Sequence, residues 1–343
     1  MRLPMPILTL RPDHELYYEL IAGDPARPVL VFLHEGLGSC AMWKDFPARL
    51  CQATGCRGLL YDRLGYGLSS PLTAPRRLHY LHDYALRELP AVLDRLIPQQ
   101  EHIVIGHSDG GSIALIHASQ QPAYLRGIIT EAAHVFVEAV TLAGIRTANA
   151  AFDAGKLRAL AKYHGDKTQT IFKAWSDTWL SHGFQFWNIE YLLASITCPA
   201  LVMQGSADQY GSAAQVDAIV AKALQAVPAM IEQCGHTPHQ EQPQAVLELM
   251  RVFLEGRIAA ARLVNLKLNG RPGRCPSGRR RCVRGTACLR SGPVAGSAAA
   301  ALAFPRHPCA APRRAVAPIA AHGQPWPPAR SRRCRRPRRP AWA

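Results

Sequence analysis

The sequence predicts an α/β fold, a parallel sheet covered by helices on both faces, over residues 1–257. Short apolar runs rich in β-branched residues alternate there with amphipathic helical patterns. These runs are apolar along their whole length, which is typical of parallel strands buried on both faces. The predicted strands are 15–22, 29–33, 58–61, 102–105, 127–130, 200–203 and 229–232, and the predicted helices are 41–53, 79–96, 109–120, 213–226 and 241–254.

Residues 134–195 break this alternation with helical patterns, many aromatic side chains and no strong strand. We therefore predict one α/β core formed by 1–133 and 196–257, interrupted by a helical cap at 134–195. The cap is expected to act as a lid, with an excursion packed beside the sheet as the alternative. Its aromatic residues either line a substrate pocket or fill the cap's own core. The pocket candidates are Leu37, Trp175, Trp179 and Trp187.

The charge is divided unevenly along the chain. The net charge of +16 arises because residues 258–343 hold 19 basic residues and no acidic ones, whereas residues 1–257 are slightly acidic. Such an Arg-, Pro- and Ala-rich tail buries too little apolar surface to offset its ordering entropy, so we predict disorder. It is either a basic arm for nucleic acid or anionic lipid, or an out-of-frame extension without function. The core gives no reason to expect a nucleic-acid partner.

The cysteine pattern favours a cytoplasmic protein. The ten cysteines include no CxxC pair in the core and no zinc-binding spacing in the tail, as expected of free thiols in a reducing compartment. The N-terminus lacks a secretory apolar region, and no run of about 18 apolar residues predicts a membrane span.

The segment GHSDG at 106–110 contains the candidate nucleophile, Ser108. It fits the pattern G-x-S-x-G, between a predicted strand and a predicted helix. A serine on such a sharp turn needs small neighbours, and the turn presents its hydroxyl at the carboxyl end of the sheet. The next helix directs its N-terminal N–H groups to where negative charge develops.

A serine hydroxyl needs a base, and His236 is the candidate. It follows the last predicted strand and precedes the final helix, which suits the chain order Ser, Asp, His. His239 is the alternative, expected at the surface or behind the site. The carboxylate that orients the base is expected to be Asp208, in the loop after the strand at 200–203, with Glu131 as its rival.

Two backbone donors are needed to form an oxyanion hole. One is expected to be the N–H of Asp109, directly after the nucleophile. The other is expected from Gly36, in the loop after the strand at 29–33, with Leu37 as the alternative.

Together these motifs resemble the α/β-hydrolase superfamily over roughly residues 15–257. The resemblance implies an eight-stranded, mostly parallel sheet, a helical cap, a small-molecule substrate, and a site without metal or cofactor. It is specific for the superfamily but not for a substrate. The motifs that carry it are, in chain order, His34-Glu35-Gly36, Asp62-x-x-Gly65-x-Gly67-x-Ser69, Gly106-x-Ser108-x-Gly110, Gly205-x-x-Asp208 and Gly235-His236.

The sequence departs from the family pattern at the oxyanion loop. Glu35 stands where family members usually have glycine, which leaves the oxyanion donor open. Its side chain is expected to face the surface, with a carboxylate beside the site as the alternative. The loop also lacks the HGGPG pattern of proline iminopeptidases, which counts against that activity. A serine nucleophile disfavours haloalkane dehalogenase and epoxide hydrolase chemistry.

The sequence therefore predicts a serine hydrolase that cleaves a small carboxylic ester through an acyl-enzyme. The alternative within enzymes is hydrolysis of a carbon–carbon bond in a diketone or ring-cleavage product. A second alternative is a catalytically silent member that acts as a binding protein.

Overall fold

The computed structural model describes residues 6–269, the last thirteen of them by their backbone alone. These residues confirm the predicted fold class and form an eight-stranded sheet flanked by helices. The strands are β1 (Ile7–Arg11), β2 (His14–Ile21), β3 (Val29–Leu33), β4 (Arg57–Tyr61), β5 (His102–His107), β6 (Leu125–Glu131), β7 (Ala200–Gly205) and β8 (Ala226–Ile231). Their order is β1-β2-β4-β3-β5-β6-β7-β8, in which β3 to β8 run parallel and β1 and β2 are antiparallel to their neighbours.

Two hydrophobic cores, one on each face of the sheet, hold the strands. All five residues of β3 are buried, and alternate side chains enter opposite cores, with Val31 in one and Phe32 in the other. The helices are α1 (Phe46–Thr54), α2 (Tyr80–Asp83), α3 (Leu89–Leu96), α4 (Asp109–Ala118), α5 (Ala139–Asp153), α6 (Ala161–His164), α7 (Thr168–Leu180), α8 (Glu190–Leu193), α9 (Ala213–Lys222), α10 (Pro238–Glu241) and α11 (Pro243–Asn269).

Three predicted helices differ from the observed ones. The helix predicted at 41–53 begins at Phe46, because Lys44 has a φ of 54° and separates it from a short 3-10 helix, Cys40–Trp43. The helix predicted at 79–96 is interrupted by a π-helical stretch, Tyr84–Glu88, where the N–H of Leu89 bonds the carbonyl of Tyr84. Pro90 follows at once and supplies no N–H, so the regular α-helical ladder cannot continue through this turn. The helix predicted at 213–226 ends early, because the chain from residue 226 pairs with β7 instead.

The last helix is longer than predicted. α11 continues to Asn269 through residues 258–269, which sequence analysis assigned to the tail. That stretch is rich in Ala and Leu and contains no Pro or Gly, so it has the propensity to extend the helix. The remainder of the predicted disordered tail, 270–343, lies outside the described residues.

The segment between β6 and β7 is helical. It contains α5 to α8, and its β-type pairing is an isolated bridge between Phe136 and Asn188. The lid role remains a prediction. Across residues 6–269, no helix combines the length and apolarity that a bilayer crossing requires.

We expect His117 to make stability depend on pH. It is buried in α4, and burial first, then the nearby His102, lowers the pKa of His117 to about 4. In the unfolded chain its pKa is near 6.5, so between the two values the unfolded state binds the extra proton and folding is weakened as pH falls. This one group should remove about 2 kcal/mol of unfolding free energy between pH 8 and pH 5.

Urea unfolding of the wild type and of His117→Asn at both pH values measures this contribution. The variant should lose about 2 kcal/mol less than the wild type over the same interval. Equal losses would show that His117 does not have a lowered pKa in the folded state.

Candidate functional site

Ser108 lies on a sharp turn between β5 and α4, at the carboxyl end of the sheet. Its φ is 54°, a strained value for a residue with a side chain. The turn needs glycine at both flanks: a Cβ on Gly106 would lie 2.1 Å from the carbonyl oxygen of Gly110, and one on Gly110 would lie 2.1 Å from that of Leu33. The Ser108 N–H donates to the carbonyl of Glu131 at 2.8 Å. The strained turn is thereby tied to β3 and β6.

The structure brings the three predicted catalytic side chains together. Nε2 of His236 lies 3.0 Å from Oγ of Ser108, and Nδ1 lies 2.9 Å from both carboxylate oxygens of Asp208. His236 and Ser108 are 7% and 8% exposed, so the contact is nearly closed to solvent but still reachable. Asp208 holds Nδ1–H, which leaves Nε2 free to take a proton from the hydroxyl.

Asp208 is held as a carboxylate. Burial alone would raise its pKa, but the hydrogen bond and charge of His236 and the N–H of Tyr210 lower the pKa below the usual range. Oδ1 accepts from Tyr210 N–H at 2.7 Å and from Gly211 N–H at 3.3 Å, while Oδ2 accepts from the Gln204 amide at 2.7 Å. These donors fix the plane of the carboxylate before it meets the imidazole.

The rival residues form a second pair behind the first. Glu131 accepts from His239 Nδ1 at 2.9 Å and from its backbone N–H at 3.1 Å, and both residues are buried. Neither side chain shares a hydrogen bond with Ser108, which meets Glu131 only at its backbone carbonyl. Between the two pairs, His107 donates from Nε2 to the carbonyl of His236 at 2.7 Å. Burial, followed by the charges of His239 and His236, lowers the pKa of His107 well below its normal value, so it supports the loop as a neutral ring.

The oxyanion loop is fixed from behind by its carbonyls. The carbonyl of Glu35 accepts from Arg63 at 2.7 Å and from His34 Nδ1 at 2.8 Å, and the carbonyl of Gly36 accepts from the Tyr66 hydroxyl at 3.0 Å. Because a trans peptide is planar, each anchored carbonyl aims the N–H of the next residue to the opposite side. Within the described residues, the N–H groups of Gly36 and Leu37 have no acceptor.

A cavity of about 60 Å³ lies above Ser108 and contains most of the predicted pocket. Trp187 was predicted to line it but does not. Its ring stacks on Phe184, with centroids 5.4 Å apart, and packs against Trp179 within the cap segment. Trp187 therefore belongs to the cap's own core and not to the wall of this cavity. The cavity is lined by Glu35, Gly36, Leu37, Ser108, Asp109, His134, Thr141, Ile145, Trp175, Trp179, Tyr210 and His236.

Glu35 corrects a second expectation. Its side chain was expected to face the surface, but it lines the cavity above Ser108. Burial raises the pKa of the Glu35 carboxyl, against the opposing charge of His236, and the charge of Asp109 raises it further. Since the carbonyl side of this loop is occupied by Arg63 and Tyr66, the Glu35 side chain is left on the cavity side.

Asp109 adds a second carboxylate to the cavity. It is 1% exposed, and its Oδ2 accepts from the Tyr80 hydroxyl at 2.7 Å. The Tyr80 oxygen in turn accepts from the Trp179 indole at 2.9 Å, which ties the cap segment to the nucleophile turn. Oδ1 of Asp109 is buried without a hydrogen-bond partner in the described chain.

Sequence analysis missed the residues that support the site. Tyr66, Tyr80 and Arg63 are buried behind it, and His134 and Tyr210 line it. Arg63 and Tyr66 lie inside the motif that begins at Asp62. The motif indicated that this segment is near the site, but it did not predict which atoms these two side chains contact. The others carry no local pattern that predicts their direction.

Comparison with known proteins agrees with this geometry. Residues 30–249 match the model described as the alpha/beta hydrolase family. The chain is 34% identical over 105 residues to a proline iminopeptidase of Lactobacillus helveticus, and the match covers 30% of this chain and 35% of that protein. Over 264 residues it is 26% identical to the 2-succinyl-6-hydroxy-2,4-cyclohexadiene-1-carboxylate synthase of Enterobacter sp. (strain 638), covering 69% of this chain and 95% of that protein.

Solved structures show the same fold. A thermophilic esterase from Thermogutta terrifontis aligns with a TM-score of 0.55 and 21% identity, covering 75% of this chain and 99% of that one. At this identity the likeness shows the fold alone. The chain spans about a third of the length of the proline iminopeptidases that it matches first.

We expect the two buried carboxylates to differ in their effect on turnover. Asp208→Asn should lower kcat for p-nitrophenyl acetate by about four orders of magnitude, because the amide favours the wrong imidazole tautomer. Glu131→Gln should lower kcat by less than about tenfold, since the Glu131 carboxylate bonds the supporting His239 and the backbone carbonyl that holds Ser108 is kept. Both rates are measured on protein shown to be folded by circular dichroism. A larger loss for Glu131→Gln would reverse the assignment.

Proposed function

We propose that this chain, which belongs to the alpha/beta hydrolase family, is a serine hydrolase that cleaves a small carboxylic ester through an acyl-enzyme on Ser108. One observation carries the proposal. Ser108 Oγ lies 3.0 Å from a histidine nitrogen whose other ring nitrogen is held by a buried carboxylate. That arrangement activates a hydroxyl that would otherwise be a weak nucleophile.

The first step is acylation. His236 takes the Ser108 proton as the oxygen attacks the ester carbonyl, and the new imidazolium is stabilised by Asp208. The negative charge that develops on the carbonyl oxygen is met by the N–H groups of Asp109 and Gly36. His236 then gives its proton to the leaving alcohol, and the acyl group remains on Ser108.

The second step is deacylation by water. His236 takes a proton from the water as it attacks the acyl carbonyl, and Ser108 regains that proton when the carboxylic acid leaves. Because the cavity holds about 60 Å³, it suits a short acyl group better than a long chain.

The charge of the cavity favours esters over the carbon–carbon alternative. Glu35 and Asp109 line it, and no lysine or arginine lines it among the residues that the structure describes. A ring-cleavage dienoate carries its own carboxylate and would be repelled by these two groups. A neutral ester, or one whose acyl group carries an ammonium, meets no such penalty. The partial match to proline iminopeptidases also favours a substrate with an amine.

A cytoplasmic location remains a prediction. Five cysteines of the described residues, Cys40, Cys51, Cys56, Cys198 and Cys234, are free thiols. Free thiols are typical of a reducing compartment.

A fluorophosphonate probe tests the nucleophile directly. We expect the wild type to be labelled and Ser108→Ala to remain unlabelled, because only an activated serine attacks such a probe. Ser195→Ala is the matched control, since this serine is exposed and does not line the cavity above Ser108. Folded protein whose labelling does not depend on Ser108 would instead support the binding-protein alternative.

We expect Glu35 to select the charge of the acyl group. The p-nitrophenyl esters of alanine and isobutyric acid differ by an ammonium in place of a methyl group. The wild type should prefer the alanine ester in kcat/KM at pH 6, and Glu35→Gln should reduce that preference by about tenfold. Since burial raises the pKa of Glu35, the preference should fade on acidification at a higher pH than an ordinary glutamate would give.

Glu232→Gln is the control for this substrate pair, because Glu232 is exposed. It should leave the ratio of the two kcat/KM values unchanged. An unchanged ratio in Glu35→Gln would show that Glu35 does not contact the acyl group.

A further inference from the structure

A second cavity has a volume of about 400 Å³. Tyr80 lies between it and the cavity above Ser108, since Tyr80 lines the second cavity and donates to Asp109 in the first. The second cavity is bounded by the β1–β2 hairpin, the loop after β4, and the helical stretch from α2 onward. It shares no lining residue with the catalytic cavity. Much of its wall is apolar, and the residues that form this part are Leu10, Leu64, Leu72, Pro75, Tyr80 and Tyr84.

Four arginines and two carboxylates also line this cavity, and most of these charges are paired. Arg77 and Arg87 both reach Asp83, at 2.9 and 3.8 Å. Arg11 pairs with Asp13 at 3.0 Å. The cavity therefore has an excess of positive charge, and its one arginine without a salt bridge in the described chain is Arg76.

Glu88, the other carboxylate of this wall, is also bound. It accepts from His14 at 2.9 Å and from the Leu64 N–H at 3.2 Å. Its Oε1 is buried and has no partner in the described chain. An anionic group is therefore expected at the Arg76 end of the cavity, away from Glu88.

Arg76 presents its guanidinium between aromatic rings. The guanidinium carbon lies 4.7 Å from the Tyr80 ring centre and 5.1 Å from that of Tyr66, and one N–H donates to the Tyr66 hydroxyl. Nε and Nη1 are buried and have no acceptor among the described residues. A guanidinium stays charged at any physiological pH, so buried donors of this kind are unfavourable until an acceptor is supplied.

We propose that this cavity binds an amphiphilic anion, an apolar body that carries a carboxylate, sulfonate or phosphate, with the anionic group on Arg76. The apolar wall would hold the body, and the unpaired N–H groups would supply charge-assisted hydrogen bonds. The volume suits a ligand of two or three fused or linked rings, which is several times larger than the catalytic cavity accepts.

The same arginine connects this cavity to the candidate oxyanion donors. Tyr66, which accepts from Arg76, donates to the carbonyl of Gly36. Tyr80, over which Arg76 stacks, donates to the Asp109 carboxylate. An anion that draws Arg76 toward the cavity changes the contacts that hold both residues. The cavity is therefore a regulatory site for the activity proposed above.

Binding is tested apart from hydrolysis, in Ser108→Ala protein. The probes are 8-anilinonaphthalene-1-sulfonate and N-phenyl-1-naphthylamine, which share their rings and differ by the sulfonate. Arg76→Gln should weaken the affinity for the sulfonate about 10- to 100-fold and change that for the neutral amine less than about twofold. Arg95→Gln, whose arginine is exposed on α3 and lines neither cavity, is the control and should leave both affinities unchanged.

Ala74→Trp is a second variant, which fills the exposed mouth and keeps Arg76. It should weaken the binding of both probes. Equal sulfonate affinity in Arg76→Gln and in the background protein would overturn the site. A competition experiment on the wild type gives a second way to overturn the site. If a fluorophosphonate attached to Ser108 displaced the sulfonate probe, the probe would lie in the cavity above Ser108.

Regulation is tested with p-nitrophenyl acetate and the wild-type chain. A saturating concentration of the sulfonate probe should change kcat/KM at least about threefold, and the effect should vanish in Arg76→Gln but persist in Arg95→Gln. Unchanged turnover at saturation would overturn the regulatory role. Absence of any esterase activity in both states would reject the proposed function and leave the binding result as it stands.

Discussion

The strained turn at Ser108 is the constraint on which the rest of the site depends. Three parallel strands meet there: β5 leads into it, β3 touches it through Leu33 against Gly110, and β6 accepts its N–H at Glu131. A backbone with φ of 54° at a serine persists only where the surroundings over-determine it. The sheet supplies that rigidity, so the hydroxyl and the Asp109 N–H are oriented before any substrate binds.

Buried polar residues behind the oxyanion loop hold its backbone in place. Arg63 is fully buried and donates to the carbonyl of Glu35 in the oxyanion loop, and Tyr66 donates to the carbonyl of Gly36. Burying a guanidinium is unfavourable unless its donors find acceptors. Here the acceptors are the loop carbonyls themselves, so the charge is accommodated by the same contacts that orient the loop.

The sequence predictions are accurate where a feature depends on neighbouring residues in the chain, and they fail where it depends on contacts between distant residues. Seven of the eight strands, the fold class and the positions of Ser108, Asp208 and His236 depend on local turns and on chain order, which the sequence displays directly. The strand that was not predicted is β1. The directions of Glu35 and Trp187 depend on what packs behind each residue. Arg63 occupies the rear of the loop and Phe184 stacks on the indole, and neither contact leaves a periodic pattern in the chain.

The end of α9 and the start of β8 were also mispredicted because a long-range contact decides them. Residues 226–228 lie in an alanine-rich stretch with helical propensity, yet they pair with β7 because an open sheet edge offers backbone partners. Pro228 is tolerated in that strand because β8 is an edge and needs no second neighbour. Local preference was overridden here by a pairing 26 residues away, which single-sequence reasoning does not weigh.

The two carboxylates in the catalytic cavity would oppose an oxyanion if nothing balanced them. Glu35 lies within the field of His236, so in the proposed mechanism its charge favours the imidazolium that forms in both steps. Asp109 is held by Tyr80 on its outer side, and the positive charges of Arg63 and Arg76 lie behind that contact. The guanidinium groups therefore offset negative charge from outside the cavity, while the cavity wall itself stays acidic. In the proposed reaction, oxyanion stabilisation and selection by acyl charge are compatible because the Tyr80 hydroxyl, and not a guanidinium, contacts the Asp109 carboxylate. A change at Tyr80 is expected to alter both.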